Sequence, residues 1–257
     1  MNVKAKKHLG QHFLTDENIA KKIVEGLDFQ PYQYVLEVGP GTGVLTKYLL
    51  EKPTETYVAE IDTESIEYLK LHYQKLENKY FTGDFLKINL SDIFSGEVAV
   101  IGNFPYNISS QILFKIIENY QQIPEMVGMF QKEVAERTAA VPRTKDYGIL
   151  SVLVQAYYDV KYLFTVHENV FNPPPKVKSG VIKLTRNRKE GLEGNEILFK
   201  QIVKTGFGQR RKKLSNALKS LEIPEVLKSH AFMDKRAEEL SVEDFINFTK
   251  EWKAAKN

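Results

Sequence analysis

Along the first 186 positions, short unbroken apolar runs alternate with stretches whose apolar residues recur every three to four places. The runs at 35–38, 56–60, 98–102 and 125–130 read as buried strands. The stretches at 44–50, 65–76, 108–120 and 131–137 read as helices. Before the first strand, Thr15 or Asp16 offers an N-cap for a helix over 17–27. Residues 80–85 predict a short strand, and 147–152 begin a further buried segment. Aromatic alternation at 157–166 and the run 181–184 predict two strands that pair with each other. Strands alternating with helices specify an α/β sheet. Residues 186–195 are polar, charged and glycine-containing, and beyond them only helical patterns remain, at 196–205, 210–221, near 225 and at 242–253. That composition break places a domain boundary between 1–186 and 187–257.

The candidate chemistry sits where the strands end. Val35 to Val38 run into Gly39-Pro40-Gly41-Thr42-Gly43, three glycines at alternate positions, which let a backbone approach a ligand with no Cβ in the way. Strand, glycine turn and helix is the arrangement by which α/β sheets hold nucleotide-like ligands. The spacing is not that of a dinucleotide loop, and Pro40 removes an N–H that a pyrophosphate would use. Glu37 sets a carboxylate beside the turn, favouring a cation over a phosphate. A nucleoside-like cation is thereby suggested, and S-adenosyl-L-methionine fits. Glu60 closes the next strand, 17 residues past Gly43, where an acid accepts ribose hydroxyls; Asp62 is its competitor. Asp84 and Phe85 follow the third strand and suit an adenine, although a lone Gly-Asp is also an ordinary turn.

Asn103-Phe104-Pro105-Tyr106 follows the central strand and is the most informative stretch. An exocyclic adenine amine is a poor nucleophile because its lone pair is delocalised into the ring. The Asn103 side-chain oxygen and the Phe104 carbonyl are placed to accept its two hydrogens. Pro105 stiffens the turn, and Tyr106 offers a face for a flipped-out base. Acceptors matched to the transition state lower the barrier without acid–base chemistry. Alone, Asn-x-Pro is also a common strand-closing turn. In the N-terminal arm, Gln11, His12 and Leu14 belong either to a frayed basic segment or to one that folds over the ligand. The proline run after Phe171 is either a rigid connector or a support for Phe171 as a wall of the base pocket opposite Tyr106.

Composition adds three constraints. There are no cysteines, hence no disulfide and no thiolate metal site, and the five histidines show no ligand spacing, so no metal is expected. No run approaches a membrane span, and the basic N-terminus lacks the apolar stretch of a signal peptide, so a cytoplasmic protein with no membrane partner is expected. Net charge is only +3, but the chain from Arg186 onward holds 16 Lys+Arg against 11 Asp+Glu. Arg210, Arg211 and Lys212 open the second tail helix and are candidate contacts for RNA phosphates.

Taken in order, the Gln11 to Leu14 segment, Glu37 to Gly43, Glu60, Gly83-Asp84, Asn103 to Tyr106, Phe171-x-Pro-x-Pro-Lys-Val and Phe207-x-x-Arg-Arg-Lys-x-Leu-x-Asn-x-Leu resemble the KsgA/RsmA family, the small-subunit ribosomal RNA adenine N6,N6-dimethyltransferases. The resemblance spans nearly the whole chain. It implies a Rossmann-like class I methyltransferase domain followed by a small all-helical C-terminal domain, using S-adenosyl-L-methionine. The implied reaction is dimethylation of two adjacent adenosines near the 3′ end of 16S rRNA; the immature small subunit is the expected partner and a monomer the expected state. It also implies cofactor contacts at His12, Leu14, Gly39, Glu60, Asp84 and Asn103, with Asn103 to Tyr106 holding the adenine. Two positions depart from the family pattern: His12 stands where many members have Asn, and Phe104 where Leu, Ile or Pro is frequent. The competing readings are the macrolide-resistance type of 23S rRNA adenine dimethyltransferase, and a non-catalytic ribosome-assembly or transcription factor. The Phe207 to Leu218 run argues against the former, and the intact glycine turn with Asn103 against the latter.

Overall fold

The computed structural model describes residues 3–256, so positions 1, 2 and 257 of the two expected ranges lie outside it. In chain order the elements are β1 (Phe13–Leu14), α1 (Glu17–Val24), β2 (Tyr34–Val38), α2 (Thr46–Leu49), β3 (Glu55–Glu60), α3 (Thr63–His72) and β4 (Tyr80–Thr82). Then follow β5 (Val98–Asn103), α4 (Ser109–Glu118), β6 (Glu125–Gln131), α5 (Lys132–Thr138), α6 (Ile149–Gln155), β7 (Tyr158–Val166), β8 (Phe171–Asn172) and β9 (Ser179–Arg186). The chain ends in α7 (Glu196–Gly208), α8 (Leu214–Ala217) and α9 (Val242–Ala254), joined by short 3-10 turns. The seven-stranded sheet has the order β4-β3-β2-β5-β6-β9-β7. Strands β4, β3, β2, β5 and β6 run parallel, and β9 enters antiparallel to β6. The fold is α/β with a helical C-terminal part, as the alternation of patterns specifies.

Two features of this sheet position a site. First, β2 pairs with β3 on one side and β5 on the other, so successive connections leave the sheet in opposite directions at the β2–β5 seam. Such a seam opens a crevice at the carboxyl ends of the strands. Second, Val35, Leu36, Val98, Ala99, Val100 and Ile101 are fully buried, which makes β2 and β5 covered strands with little freedom to shift register.

The differences from the expected elements have local causes. The helix expected over 44–50 shortens to α2 because the Gly43 N–H closes a turn on the Pro40 carbonyl (2.8 Å). The helix over 65–76 breaks at Tyr73, which leaves the helical region at φ −125°, ψ 70°. The helix over 210–221 shrinks to α8, because Lys213 pairs with Arg236 in an isolated bridge and the Leu214 N–H is taken by the Lys235 carbonyl (2.8 Å). Pairing of β1 with β8 was not foreseen, since two-residue strands carry no periodicity.

Contacts divide the chain into two compact units: the chain up to Ala135 with Val160–Arg186, and Glu136–Asp159 with the chain from Asn187 onward. Residues 136–159 fall within the range 1–186 read as one domain, yet they group with the later helices. The Arg143 N–H donates to the Glu238 carbonyl (2.8 Å), and the Tyr147 hydroxyl to the Leu240 carbonyl (3.0 Å).

In the first unit the β5–β6 seam carries a tight constraint. The Phe104 ring is buried and packs on Phe130, with ring centres 4.9 Å apart. A Cβ at Gly102 would lie 2.8 Å from that ring, and one at Gly128 only 2.2 Å. These two glycines make room for the large side chain at position 104. At the other end of β6, buried Glu125 takes the Lys183 ammonium at 2.6 Å, the Asp28 N–H at 3.1 Å and the Tyr32 hydroxyl. A buried carboxylate partnered this fully is costly to leave with any partner missing.

Gly128→Ala should overpack this seam and destabilise the protein by about 1–3 kcal/mol, read as a fall of several degrees in Tm. Adding Phe104→Leu should recover part of the loss. A double variant no more stable than Gly128→Ala would show that the ring is not what the glycine accommodates.

Candidate active site

The carboxyl ends of β2, β3, β4 and β5 converge on two adjoining cavities of about 50 and 180 Å³ that share Leu9, Gly39, Glu60, Ile61 and Pro105. The smaller is lined further by Gln11, His12, Phe13, Gly41, Asn103, Phe104 and Tyr106. The larger is lined by Asp84, Phe85, Leu86 and Ile108, among others. Most of the expected site residues are thus brought together.

The glycine turn is shaped by backbone and by close approach. Gly39 adopts φ +70° and Gly41 φ +55°, conformations that side chains rarely tolerate. A Cβ on Gly41 would also lie 2.8 Å from the Phe13 ring, so the arm closes directly over the turn. The Gly41 N–H donates to one oxygen of Glu60 (3.1 Å) and the Asp62 N–H to the other (2.9 Å). Burial pushes the Glu60 carboxyl up from its ordinary value, against these two donors. Asp62, the alternative at this strand end, is engaged elsewhere. It accepts from the Gln11 amide (3.3 Å), the Ser65 hydroxyl (3.0 Å) and the Lys6 ammonium, and so pins the arm. Burial opposes ionisation of Asp62, but Lys6, Gln11 and Ser65 outweigh it and hold its carboxyl below the usual range. Asp84 is both a turn residue and a lining residue: one oxygen caps the turn after β4 through the Leu86 N–H (3.0 Å).

Asn103 sits half-buried at the end of β5. Its Nδ2 donates to the His12 backbone carbonyl at 2.8 Å, which orients the carboxamide. His12 is held in turn by the pairing of Phe13 and Leu14 with Asn172 and Phe171, and by its ring Nδ1, 2.8 Å from the Pro173 carbonyl. The imidazole stacks on Tyr106, with centroids 5.6 Å apart and planes 28° apart. The Tyr106 hydroxyl is bonded to Ser179 Oγ, and burial raises its pKa.

Several expected residues are elsewhere. Glu37 does not line the cleft: its carboxylate is 1% exposed and accepts from the Thr46 hydroxyl at 2.6 Å, because its side of β2 faces α2. Leu14 and Phe171 belong to the hydrophobic core with Ile23 and Val35, so Phe171 is no wall of the base pocket. Only their backbones, as the β1–β8 pair, bear on the site. Gly43 faces away from the cleft, its φ of +84° accommodating the Tyr73 ring. Arg210 is not a free phosphate contact. Its guanidinium donates to Glu238 and to the carbonyls of Lys145 (2.7 Å) and Thr144 (3.0 Å), tying down the 144–145 loop. Arg211 and Lys212 are exposed. Reading the sequence missed Ile61, an apolar side chain 52% exposed in both cavities. Its place just after Glu60 was the available signal. Ser179 carried no signal of its own.

The donor set suits a nucleoside-like cation. No lysine or arginine lines either cavity, whereas Glu60, Asp84 and the Asn103 carboxamide do. A Cβ on Gly39 would meet only the Asn103 carbonyl, at 3.9 Å, so the backbone there faces open space. Among the described residues no group of three or more His, Cys, Asp and Glu is arranged to hold a metal, and no helix is long and apolar enough to cross a membrane.

A family model described as ribosomal RNA adenine dimethylase matches residues 2–254. Over 253 residues the chain is 58% identical to "Ribosomal RNA small subunit methyltransferase A" of Flavobacterium johnsoniae, a match covering 98% of this chain and 97% of the relative. Among solved structures, a dimethyladenosine transferase from Plasmodium falciparum superposes with a TM-score of 0.84 at 26% identity, covering 95% of this chain and 98% of that one. The 23S rRNA methyltransferase ErmE superposes with a TM-score of 0.69 at 25% identity, covering 94% and 99%.

The buried acids in and behind this cleft have a consequence for stability. Burial pushes Glu37 up to about 8 and raises Glu60 as well. A carboxyl with a raised folded-state pKa holds its proton preferentially in the folded state. Its contribution is therefore complete below the ordinary glutamate range and is lost as pH rises toward 8. Tm should fall between about pH 5 and pH 8. Glu37→Gln, neutral at every pH and still able to accept from Thr46, should flatten that fall; an unchanged slope would exclude Glu37 as its source.

Proposed function

The chain belongs to the ribosomal RNA adenine dimethylase family, and from that membership we propose that it transfers methyl groups from S-adenosyl-L-methionine to N6 of two adjacent adenosines near the 3′ end of 16S rRNA. In this reading it acts as a monomer in the cytoplasm, on the immature small ribosomal subunit, and takes part in small-subunit biogenesis. The observation that carries it is Asn103: a carboxamide at a strand end, turned by the His12 carbonyl, in a cleft lined by no lysine or arginine.

When bound, such a donor supplies a methyl group on a cationic sulfur. The remaining work falls to this chain. Glu60 receives ribose hydroxyls on its two oxygens, each of which has a second lone pair beyond the Gly41 or Asp62 N–H it already accepts. Asp84 and Ile61 flank the donor's adenine, the first by the oxygen not used on Leu86, the second by apolar contact. The Gly39 and Gly41 backbone borders the donor's other end. With Nδ2 committed to His12, the Asn103 oxygen is the end presented to the target amine. It and the Phe104 carbonyl accept the two N6 hydrogens, so the nitrogen lone pair leaves conjugation and points at the methyl carbon. No general base is needed, because the methylated amine is far more acidic than its precursor and sheds a proton to water. The target base lies against Tyr106. Arg211 and Lys212, in the second unit, contact RNA phosphates, and that unit is the RNA-binding domain. The small-subunit assignment over the 23S one rests on the name of the 58% identical relative and on the Phe207 to Leu218 run.

Asn103→Ala should lower methyl incorporation into immature small subunits by about a hundredfold, the loss typical of one preorganised transition-state contact, while donor affinity changes little. Mass spectrometry of the labelled RNA identifies the subunit and the nucleotides. Near-wild-type incorporation would remove Asn103 from the mechanism. Arg211→Glu combined with Lys212→Glu should raise KM for small subunits and make the salt dependence of binding shallower, with donor affinity unchanged. If donor affinity falls in parallel, these residues serve the fold instead.

A further inference from the structure

The geometry points to Ser179 as a positioning residue for the target base, acting through the Tyr106 hydroxyl. The inference rests on the methyl-transfer reading above and adds to it a residue that no motif singled out.

A base-stacking ring is useful only in one plane, and a tyrosine at a cleft has two side-chain torsions by which to leave it. Three constraints act on Tyr106. Its carbonyl accepts from the Ser109 hydroxyl at 3.0 Å, which fixes the turn that carries it. Its ring lies along the His12 imidazole, itself anchored to Pro173. Its hydroxyl is bonded to Ser179 Oγ. The first holds only the backbone, and the second permits sliding in the plane. The third fixes the far end of the ring, so it decides the torsions.

The serine is suited to that task because it sits buried on a paired strand. Ser179 is fully buried at the first position of β9, opposite Gln131 of β6. The next residue, Gly180, lies so close to its neighbours that a Cβ there would be 2.7 Å from the Ala135 Cβ and 2.8 Å from the Tyr162 hydroxyl. The strand end is therefore clamped, and Ser179 projects from a rigid element to a ring carried on a short turn. Supporting a contact residue from a rigid strand is how a site holds its geometry before substrate arrives. A hydrogen-bonded hydroxyl in this place does nothing for donor binding, so its loss falls on turnover.

The test compares Ser179→Ala, Tyr106→Phe and the double variant in methyl transfer to immature small subunits, with donor binding followed by equilibrium dialysis of labelled S-adenosyl-L-methionine. Each single change should lower kcat roughly fivefold, the effect of one ordinary hydrogen bond. KM for subunits and donor affinity should stay within about twofold. The double variant should be no slower than the slower single variant, because both remove the same bond. The inference is overturned if Ser179→Ala turns over at the wild-type rate, if the two effects multiply, or if donor affinity falls with kcat. Should Ser179→Ala not fold, Tyr106→Phe removes the bond without touching β9, and an unchanged kcat there overturns the proposal equally. Asn103→Ala run alongside separates the two readings. If it retains activity, methyl transfer through this cleft fails; if it is inactive while Ser179→Ala is normal, only the role of Ser179 fails.

Discussion

A carboxamide has two ends, and only one of them accepts a hydrogen bond. The site depends on which end of Asn103 faces the cleft, and that is decided by a single backbone carbonyl, the one of His12, which takes the Nδ2 hydrogen. A backbone oxygen supplies this constraint, so it does not depend on which side chain stands at position 12. What the carbonyl needs is a fixed place, and the short β1–β8 pair provides it by locking Phe13 and Leu14 onto Phe171 and Asn172. The imidazole adds a second tether through Pro173. The arm, the proline-rich loop and the end of β5 are thus linked around Asn103, through residues more than 160 apart in sequence.

The acids around the cleft divide their roles by their partners rather than by sequence position. Glu37, Glu60 and Asp62 are all buried, yet they end in different states. Asp62 has a lysine and stays ionised as the anchor of the arm. Glu60 has only backbone donors, which preserves it as an acceptor facing the cleft. Glu37 has one hydroxyl and is driven toward its neutral form, so it braces the glycine turn through α2 instead of supplying charge. The acids left facing the cleft are therefore Glu60 and Asp84, with no lysine or arginine beside them in the lining.

This division explains what was legible in the sequence. Strand ends and tight turns carry local signatures, so spacing and residue type alone were enough to place Gly39, Gly41, Glu60, Asp84 and Asn103 to Tyr106 at one cleft. The direction of a side chain is set by the two-residue period of a strand and by what packs on each face. Glu37, adjacent to the turn, was assigned to the cleft on proximity, although its alternation in β2 sends it to α2. Leu14 and Phe171 follow the same rule: their backbones form the β1–β8 pair beside the site and their side chains enter the core. Ser179 was out of reach altogether, because its meaning exists only once β9 lies beside β6 and the turn carrying Tyr106.

The basic run Arg210-Arg211-Lys212-Lys213 shows the limit of reading charge as contact. Four consecutive cations cannot all face outward from a helix, and here no helix forms around them. Arg210 turns back to satisfy two loop carbonyls and Glu238, where its planar fork of donors is worth more than a lysine would be. Lys213 pairs with Asp234 at 2.9 Å. Lys213 stays exposed in that pair, as do Arg211 and Lys212 beside it. Arg210 is by contrast a structural arginine, and substituting it together with Arg211 and Lys212 would mix a loss of fold with any loss of contact.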